Sequence, residues 1–291
     1  MAIQALWDVP APAKLNLFLH VIGQRDDGYH LLQSVFALID WCDALHFECR
    51  SDGALARHDL GPALPADDLC LRAARALQQL SGSHLGADIS IDKRVPWGAG
   101  LGGGSSDAAS TLLALNRLWG LHWPRERLLP IALSLGADVP FFIGGRNALV
   151  EGIGERLNPI ELQVQWLAVV KPAQAIATAG IFGSPLLARD TEPVIVMDFL
   201  ADAQLQQKLA LGYGRNDLQA PATSLCPEVT QVAAWLEARY GNSRMTGSGS
   251  AVFARAGAGN QPVATWGSEE LPPHWVGRMC RSLVHHPLLE W

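Results

Sequence analysis

Pro96-Trp97-Gly98-Ala99-Gly100-Leu101-Gly102-Gly103-Gly104-Ser105-Ser106 is the stretch on which the fold and chemistry of this chain turn. It runs into an Ala- and Leu-rich segment, residues 108–119, that stops before Gly120 and reads as a buried helix. Ahead of it lie a short strand, residues 87–91, and then Asp92-Lys93-Arg94. Strand, glycine loop and helix together form a recipe for holding phosphate. The helix start carries unpaired N–H groups and partial positive charge. Glycines let that backbone approach a ligand without Cβ atoms in the way. The two serines add hydroxyl donors or magnesium-side ligands.

Other glycine motifs fit less well. Gly98-x-Gly100-x-x-Gly103 matches the dinucleotide fingerprint in form. The acidic residue expected about 20 positions later is replaced by Trp119-Gly120-Leu121-His122-Trp123. A Walker A loop needs Gly-Lys-[Ser/Thr], and no lysine follows these glycines. A connector without a ligand gives no reason for five glycines in seven positions ahead of a good helix.

Working outward, residues 13–22 (AKLNLFLHVI) alternate as a strand. Leu15, Leu17, Leu19 and Val21 fall on one face, and Lys14, Asn16, Phe18 and His20 on the other. Downstream, Leu135-Gly136-Ala137-Asp138-Val139-Pro140-Phe141-Phe142 sets one carboxylate among apolar neighbours. Taken singly, Asp138 reads as a turn or helix cap and Lys14 as a solvated lysine. With the glycine loop they complete a set. Phosphoryl transfer to an alcohol needs a phosphate cradle, a carboxylate at the attacking hydroxyl and a cation.

The chain has 291 residues, enough for two domains, and its 49% hydrophobic content excludes wholesale disorder. With 22 basic against 28 acidic residues, net charge −6, no global field exists for a polyanion, so nucleic acid is not an expected partner. No apolar run reaches the roughly 18 residues of a membrane helix, and the first residues lack the layout of a signal or transit peptide. The five cysteines form no C-x-x-C, which points to reduced thiols in a cytoplasm. Helices are expected at 69–80, 125–135, 200–211 and 228–240, and strands at 164–170 and 251–254, with a domain boundary at 158/159. Arg215-Asn216-Asp217-Leu218 reads as ordinary capping, and His285-His286 as a solvated chain end. Met245-Thr246-Gly247-Ser248-Gly249-Ser250 is either a second loop closing over the phosphates or a hairpin turn.

As a set these motifs resemble the galactokinase, homoserine kinase, mevalonate kinase and phosphomevalonate kinase superfamily. The glycine loop is similar to its central phosphate-binding motif, and residues 245–253 to its third. Pro12-Ala13-Lys14-Leu15-Asn16-Leu17, Arg25-Asp26-Asp27-Gly28-Tyr29-His30 and residues 135–140 look most like the branch that phosphorylates a cytidine-diphosphate-linked methylerythritol. The resemblance implies an α+β fold of two domains, 1–158 and 159–291. The first would be of the ribosomal protein S5 domain-2 type and the second ferredoxin-like, with the site in the cleft between them. It implies ATP with Mg2+, Asp138 as catalytic base paired with Lys14, and ATP held by residues 96–106 and Lys93. Asn16, Tyr29, His30, Thr178 and Phe182 would hold the acceptor, with Tyr29 and Phe182 stacking on cytosine. No residue is assigned to the metal, and a monomer or weak homodimer is expected. Asp68 stands where the family more usually has Asn on the adenine side, and a carboxylate only accepts hydrogen bonds. Asp107 stands where the family takes Asn or Asp. Two other readings remain: another kinase of the superfamily acting on homoserine or a mevalonate-like alcohol, and a non-catalytic ATP-binding regulator.

Overall fold

A computed structural model describes residues 3–202 and 204–291. Two long strands, β1 (Ala5–Gln24) and β2 (His30–Arg50), pair antiparallel and form the spine. Around them come β3 (Leu55–Asp59), α1 (Leu69–Ser81), β4 (Gly86–Asp92), α2 (Gly103–Leu118), α3 (Arg125–Leu135), α4 (Val139–Gly144), β5 (Ala148–Gly152) and β6 (Arg156–Pro159). The six strands make one sheet in the order β3-β4-β2-β5-β6, with β1 on β2. Apolar residues of α1 to α4 pack with Phe36, Leu38, Leu45 and Ile89 of the sheet to form the first core.

The second sheet holds β7 (Trp166–Lys171), β8 (Arg244–Met245), β9 (Val252–Arg255) and β10 (Val276–Arg281). Its order, β10-β7-β9-β8, is the 4-1-3-2 arrangement of a ferredoxin-like unit, with every pairing antiparallel. Between β7 and β8 run α5 (Thr178–Phe182), α6 (Val196–Ala201), α7 (Leu205–Ala210), α8 (Gln219–Leu225) and α9 (Glu228–Tyr240). Between β9 and β10 there is only one 3-10 turn, Ser268–Glu270, in place of a second helix. The Gly-, Ala- and Pro-rich composition of that segment explains it.

A core made of Leu15, Leu17, Phe18, Leu167, Val169 and Phe253 joins the two sheets. Residues 11–21 of β1 are buried throughout, so Lys14 is not the solvated lysine it reads as when taken singly. Phe18, expected beside Lys14 and Asn16, joins Leu15 and Leu17. The reason is local. The β1–β2 register shifts between Pro12 and Lys14 and again between Asn16 and Leu19, and such bulges re-aim side chains. The single helix expected at 200–211 is two, α6 and α7. Asp202 Oδ1 accepts the Gln204 N–H at 2.8 Å, a side-chain turn that competes with helix continuation.

The end of the chain returns to the first core. Leu288 is buried there, and Arg125 donates to the Leu288 and Leu289 carbonyls at 2.5 and 2.8 Å. His286 is therefore not part of a solvated end as expected, though His285 is exposed. The His286 backbone N–H donates to the Gly145 carbonyl at 2.8 Å, and its Nδ1 accepts from Leu288 N at 3.0 Å. Burial, with the nearby Arg125 and His285 charges, pushes its pKa down to about 3.

His286 is thus neutral when folded and takes a proton only when unfolded as pH falls below its ordinary 6.5. Its contribution to stability is complete above pH 6.5 and is lost as pH falls toward 3. Between those limits it adds a slope of up to about 1.4 kcal/mol per pH unit. Urea midpoints measured between pH 7 and 5 should fall with pH, and His286→Gln should flatten that dependence.

Candidate active site

Lys14 reaches the cleft from the middle of β1 with 3% of its surface exposed. A buried ammonium needs partners. Its Nζ donates to Asn16 Oδ1 at 2.6 Å, lies 3.4 Å from Asp138 Oδ2 and sits 4.3 Å from the centroid of the Phe36 ring. Asn16 is locked in turn: its Nδ2 donates to Ser34 Oγ at 2.8 Å and its backbone N–H to Thr246 Oγ1 at 2.8 Å. Asp138 occupies the position before α4 yet makes no capping hydrogen bond. Its carboxylate is partly exposed and turned to Lys14, so the capping reading of this residue is replaced by an ion pair.

The glycine loop joins the same place. The Lys14 backbone N–H donates to the Leu101 carbonyl at 2.9 Å. Gly102, at the start of α2 with φ +70°, lies so close that a Cβ there would stand 3.1 Å from Lys14 Cγ and from Phe142 Cζ. The second loop, 246–250, is a hairpin connection, since β8 and β9 pair on either side of it. It also docks on the first: Ala251 N donates to the Ala99 carbonyl at 3.1 Å, and a Cβ on Gly100 would fall 2.4 Å from the Thr246 carbonyl. The hairpin reading of this motif holds, and the loop it forms packs against the first glycine loop.

One cavity of about 750 Å3 is lined by Lys14, Asn16, Asp138, Gly98, Gly100, Gly102, Tyr29, His30, Thr178 and Phe182, with Gly247 and Ser248. Its size falls in the range of small-molecule sites. His30 and Phe182 stack at 4.9 Å, and Thr178 Oγ1 and Ser248 Oγ share a hydrogen bond of 2.8 Å. Tyr29 is more than half exposed. On the far side of the glycine loop a smaller cavity of about 190 Å3 is lined by Lys93, Pro96, Trp97, Gly103, Gly104 and Ser105, with Ala99 and Leu101. Ser106 is fully buried and lines neither cavity.

Lys93 is held by two buried carboxylates, Asp43 and Asp107, the latter at 2.6 Å. Asp43 Oδ1 also accepts the Arg94 and Val95 N–H groups at 2.6 and 2.7 Å, so this cluster fixes the entry of the glycine loop against α2. Burial pushes the Asp107 carboxyl up. For Lys93, burial is outweighed by the two carboxylates, which raise its pKa. Asp68 caps α1 through Leu71 N at 3.1 Å and pairs with Arg57 at 2.9 Å. Among the described residues no group of three or more His, Cys, Asp or Glu is arranged for a metal ion.

Sequence reasoning missed Ser34, Phe36 and Asp43, which act through strand positions with no motif around them, and gave Thr246, inside the second glycine loop, no role of its own. Asn216 is a partial case: its Oδ1 caps Leu218 N at 2.9 Å, as expected. Its Nδ2, however, donates to the Met245 and Gly247 carbonyls at 2.8 and 2.9 Å and anchors the second loop. Arg189 was also missed; its Nε donates to His30 Nε2 at 3.1 Å.

The pair of buried Lys14 and partly exposed Asp138 lies beside a glycine-lined helix start, the arrangement expected of a phosphotransferase, and the chain belongs to the GHMP kinases. Residues 68–146 match the GHMP kinases N-terminal domain and residues 198–261 the GHMP kinases C-terminal domain. Within that family it falls with the 4-diphosphocytidyl-2-C-methyl-D-erythritol kinases. The relative of that name from Methylibium petroleiphilum is 68% identical over 100% of this chain and 99% of its own length. That from Albidiferax ferrireducens is 55% identical over 99% and 96%. A crystal structure of 4-(cytidine 5'-diphospho)-2C-methyl-D-erythritol kinase superposes with TM-score 0.74 at 35% identity, covering 94% of this chain and 98% of the other. The homoserine kinase of Cytophaga hutchinsonii shares the fold, with TM-score 0.65 at 16% identity over 97% and 95%. The chain is accordingly an ATP-dependent small-molecule kinase.

Gly100→Ala places a Cβ against the Thr246 carbonyl at a φ of +74° and should separate the two loops. A loss of about 1–3 kcal/mol in stability is expected, together with a raised KM for ATP. Gly104→Ala, whose Cβ meets only Leu69 Cδ1 at 3.8 Å, should leave the denaturation midpoint in place.

Proposed function

We propose that the chain transfers the γ-phosphoryl group of ATP to the 2-hydroxyl of 4-(cytidine 5'-diphospho)-2-C-methyl-D-erythritol. The products are the 2-phosphate and ADP, in the cytoplasmic non-mevalonate route to isoprenoid precursors. The observation that carries this reading is the shared cavity. Lys14 and Asp138, Gly98, Gly100 and Gly102 of the phosphate loop, and the aromatic set Tyr29, His30 and Phe182 line a single space.

In this reading the backbone of Gly98 to Gly104 and the start of α2 hold the ATP phosphates. Asp138 orients the acceptor hydroxyl for in-line attack and receives its proton, and Lys14 offsets the charge on Asp138 and on the transferring group. If the transition state is loose, the proton leaves late and Asp138 contributes more through position than through basicity. His30 occupies one face of Phe182, which leaves the other for a pyrimidine, with Tyr29 across from it. Lys93 supports the nucleotide side.

Magnesium fits the donors present. It keeps most of its six oxygens as water and phosphate, with one or two from the protein. Ser105, on the first turn of α2 and lining the smaller cavity beside Gly103 and Gly104, offers such an oxygen and would hold it. When bound, the ion supplies neutralisation of phosphate charge. The chain would act as a monomer or weak homodimer, with two domains, 1–158 and 159–291.

Purified protein with ATP and magnesium should phosphorylate the cytidylylated acceptor and leave homoserine and mevalonate untouched, and a cytidine nucleotide should compete with the acceptor. Equal turnover of homoserine would overturn the assignment. Asp138→Asn should lower kcat about 100- to 10,000-fold while ATP still binds. Near-normal turnover in that variant would remove Asp138 from the chemistry.

A further inference from the structure

Lys171 closes β7 with 8% of its surface exposed, and among the described residues no carboxylate forms an ion pair with it. Glu228, whose charge acts on it, is paired with His274 at 3.1 Å instead. The Lys171 Nζ donates to two consecutive carbonyls, Pro172 at 2.7 Å and Ala173 at 3.1 Å. A buried ammonium is costly, and so are buried carbonyls without donors; here each satisfies the other. The chain therefore curls around the lysine head as it leaves the sheet. The residues that follow form a strap, 172–178, that touches both glycine loops. The Gln174 carbonyl accepts the Ser250 hydroxyl at 2.5 Å. A Cβ on Gly98, where φ is +66°, would stand 2.9 Å from Ala175 Cβ, so the strap leaves no free space beside the phosphate loop. Ile176 meets the second loop, with its Cδ1 3.4 Å from where a Cβ on Gly249 would be. Thr178, at the far end, shares its hydroxyl with Ser248 and lines the large cavity.

We propose that Lys171 is a positioning residue that holds this strap taut between the two glycine loops, and that the strap makes ATP and the acceptor bind cooperatively. This rests on the reading of the two substrates given above. Phosphates settling on the backbone around Gly98 fix that loop. With no free space between Gly98 and Ala175, the strap is fixed along with it. Thr178 is then already in place when the acceptor arrives, so the second ligand meets a smaller ordering cost. By linkage the acceptor tightens ATP by the same factor. Without the ammonium, the carbonyls of Pro172 and Ala173 lose their donor and turn to water. The root of the strap slackens, and each ligand then orders only its own end.

Two measurements test this. In calorimetric titrations with the β,γ-imido analogue of ATP and magnesium, the cytidylylated acceptor should tighten the analogue at least about fivefold in the wild type. Lys171→Met keeps the apolar stem and removes the donors, and the factor should fall to within about twofold of one. Ala175→Gly breaks the contact of the strap with Gly98 while leaving Lys171 in place, and should lower the factor as much. In that background Lys171→Met should add almost nothing. A factor kept in Ala175→Gly but lost in Lys171→Met would mean that Lys171 supports the fold at large, and the proposal would fall. It would fall equally on a wild-type factor of one, or on a factor unchanged by Lys171→Met. Amide hydrogen exchange gives a second reading that needs no acceptor. The ATP analogue alone should slow exchange across residues 174–178 in the wild type and leave it unaltered in Lys171→Met. If the acceptor does not bind, the substrate reading is what fails, and the exchange pattern alone then upholds or overturns the role of Lys171. Should Lys171→Met fail to fold, Ala175→Gly carries both measurements.

Discussion

The ammonium of Lys14 is the constraint that organises this molecule. Removing a cation from water costs several kcal/mol unless its surroundings replace the lost solvent. Here the replacement comes from separate parts of the chain: Asn16 on the same strand, Phe36 on the next, and Asp138 ahead of α4. Asn16 is itself held by Ser34 and by Thr246 from the second sheet. Solvating one lysine thus requires both sheets and the helix layer to be in place.

The glycine loops meet the complementary requirement, close approach without side chains. The first lies against the Lys14 stem on one side and the second loop on the other, with no room for a methyl group at Gly100. Asp43, Lys93 and Asp107 hold its entry, and Asn216 anchors its partner loop. The first glycine loop is therefore held between two fixed walls, as a preorganised site for phosphate would require.

Much of this was legible from local signals. The glycine run, the alternation around Lys14 and the apolar flanks of Asp138 are short-range patterns, and α9 was read to the residue. What escaped depended on distant parts of the chain. Lys14 taken singly looked solvated because nothing in residues 13–22 reveals the second sheet that packs against β1. Periodicity could not find the bulges that turn Phe18 inward, since a bulge breaks the very pattern being counted. His286 looked like a frayed end because its burial comes from α3 and α4, far upstream. Asp43 and Arg189 carry no local mark, being an acid in a strand and an arginine in a loop.

The hydrogen bond between Asn16 and Thr246 joins groups 230 positions apart in the chain. Contacts of such separation close late in folding and open with the whole structure rather than locally. The candidate site therefore draws on both halves of the chain: an intermediate with the first sheet formed would hold the lysine, the acid and the glycine loop and still lack the Thr246 contact on Asn16. The Asn16 N–H is thus protected only while the loop after β8 stays docked on β1, and its exchange reports the parting of the two.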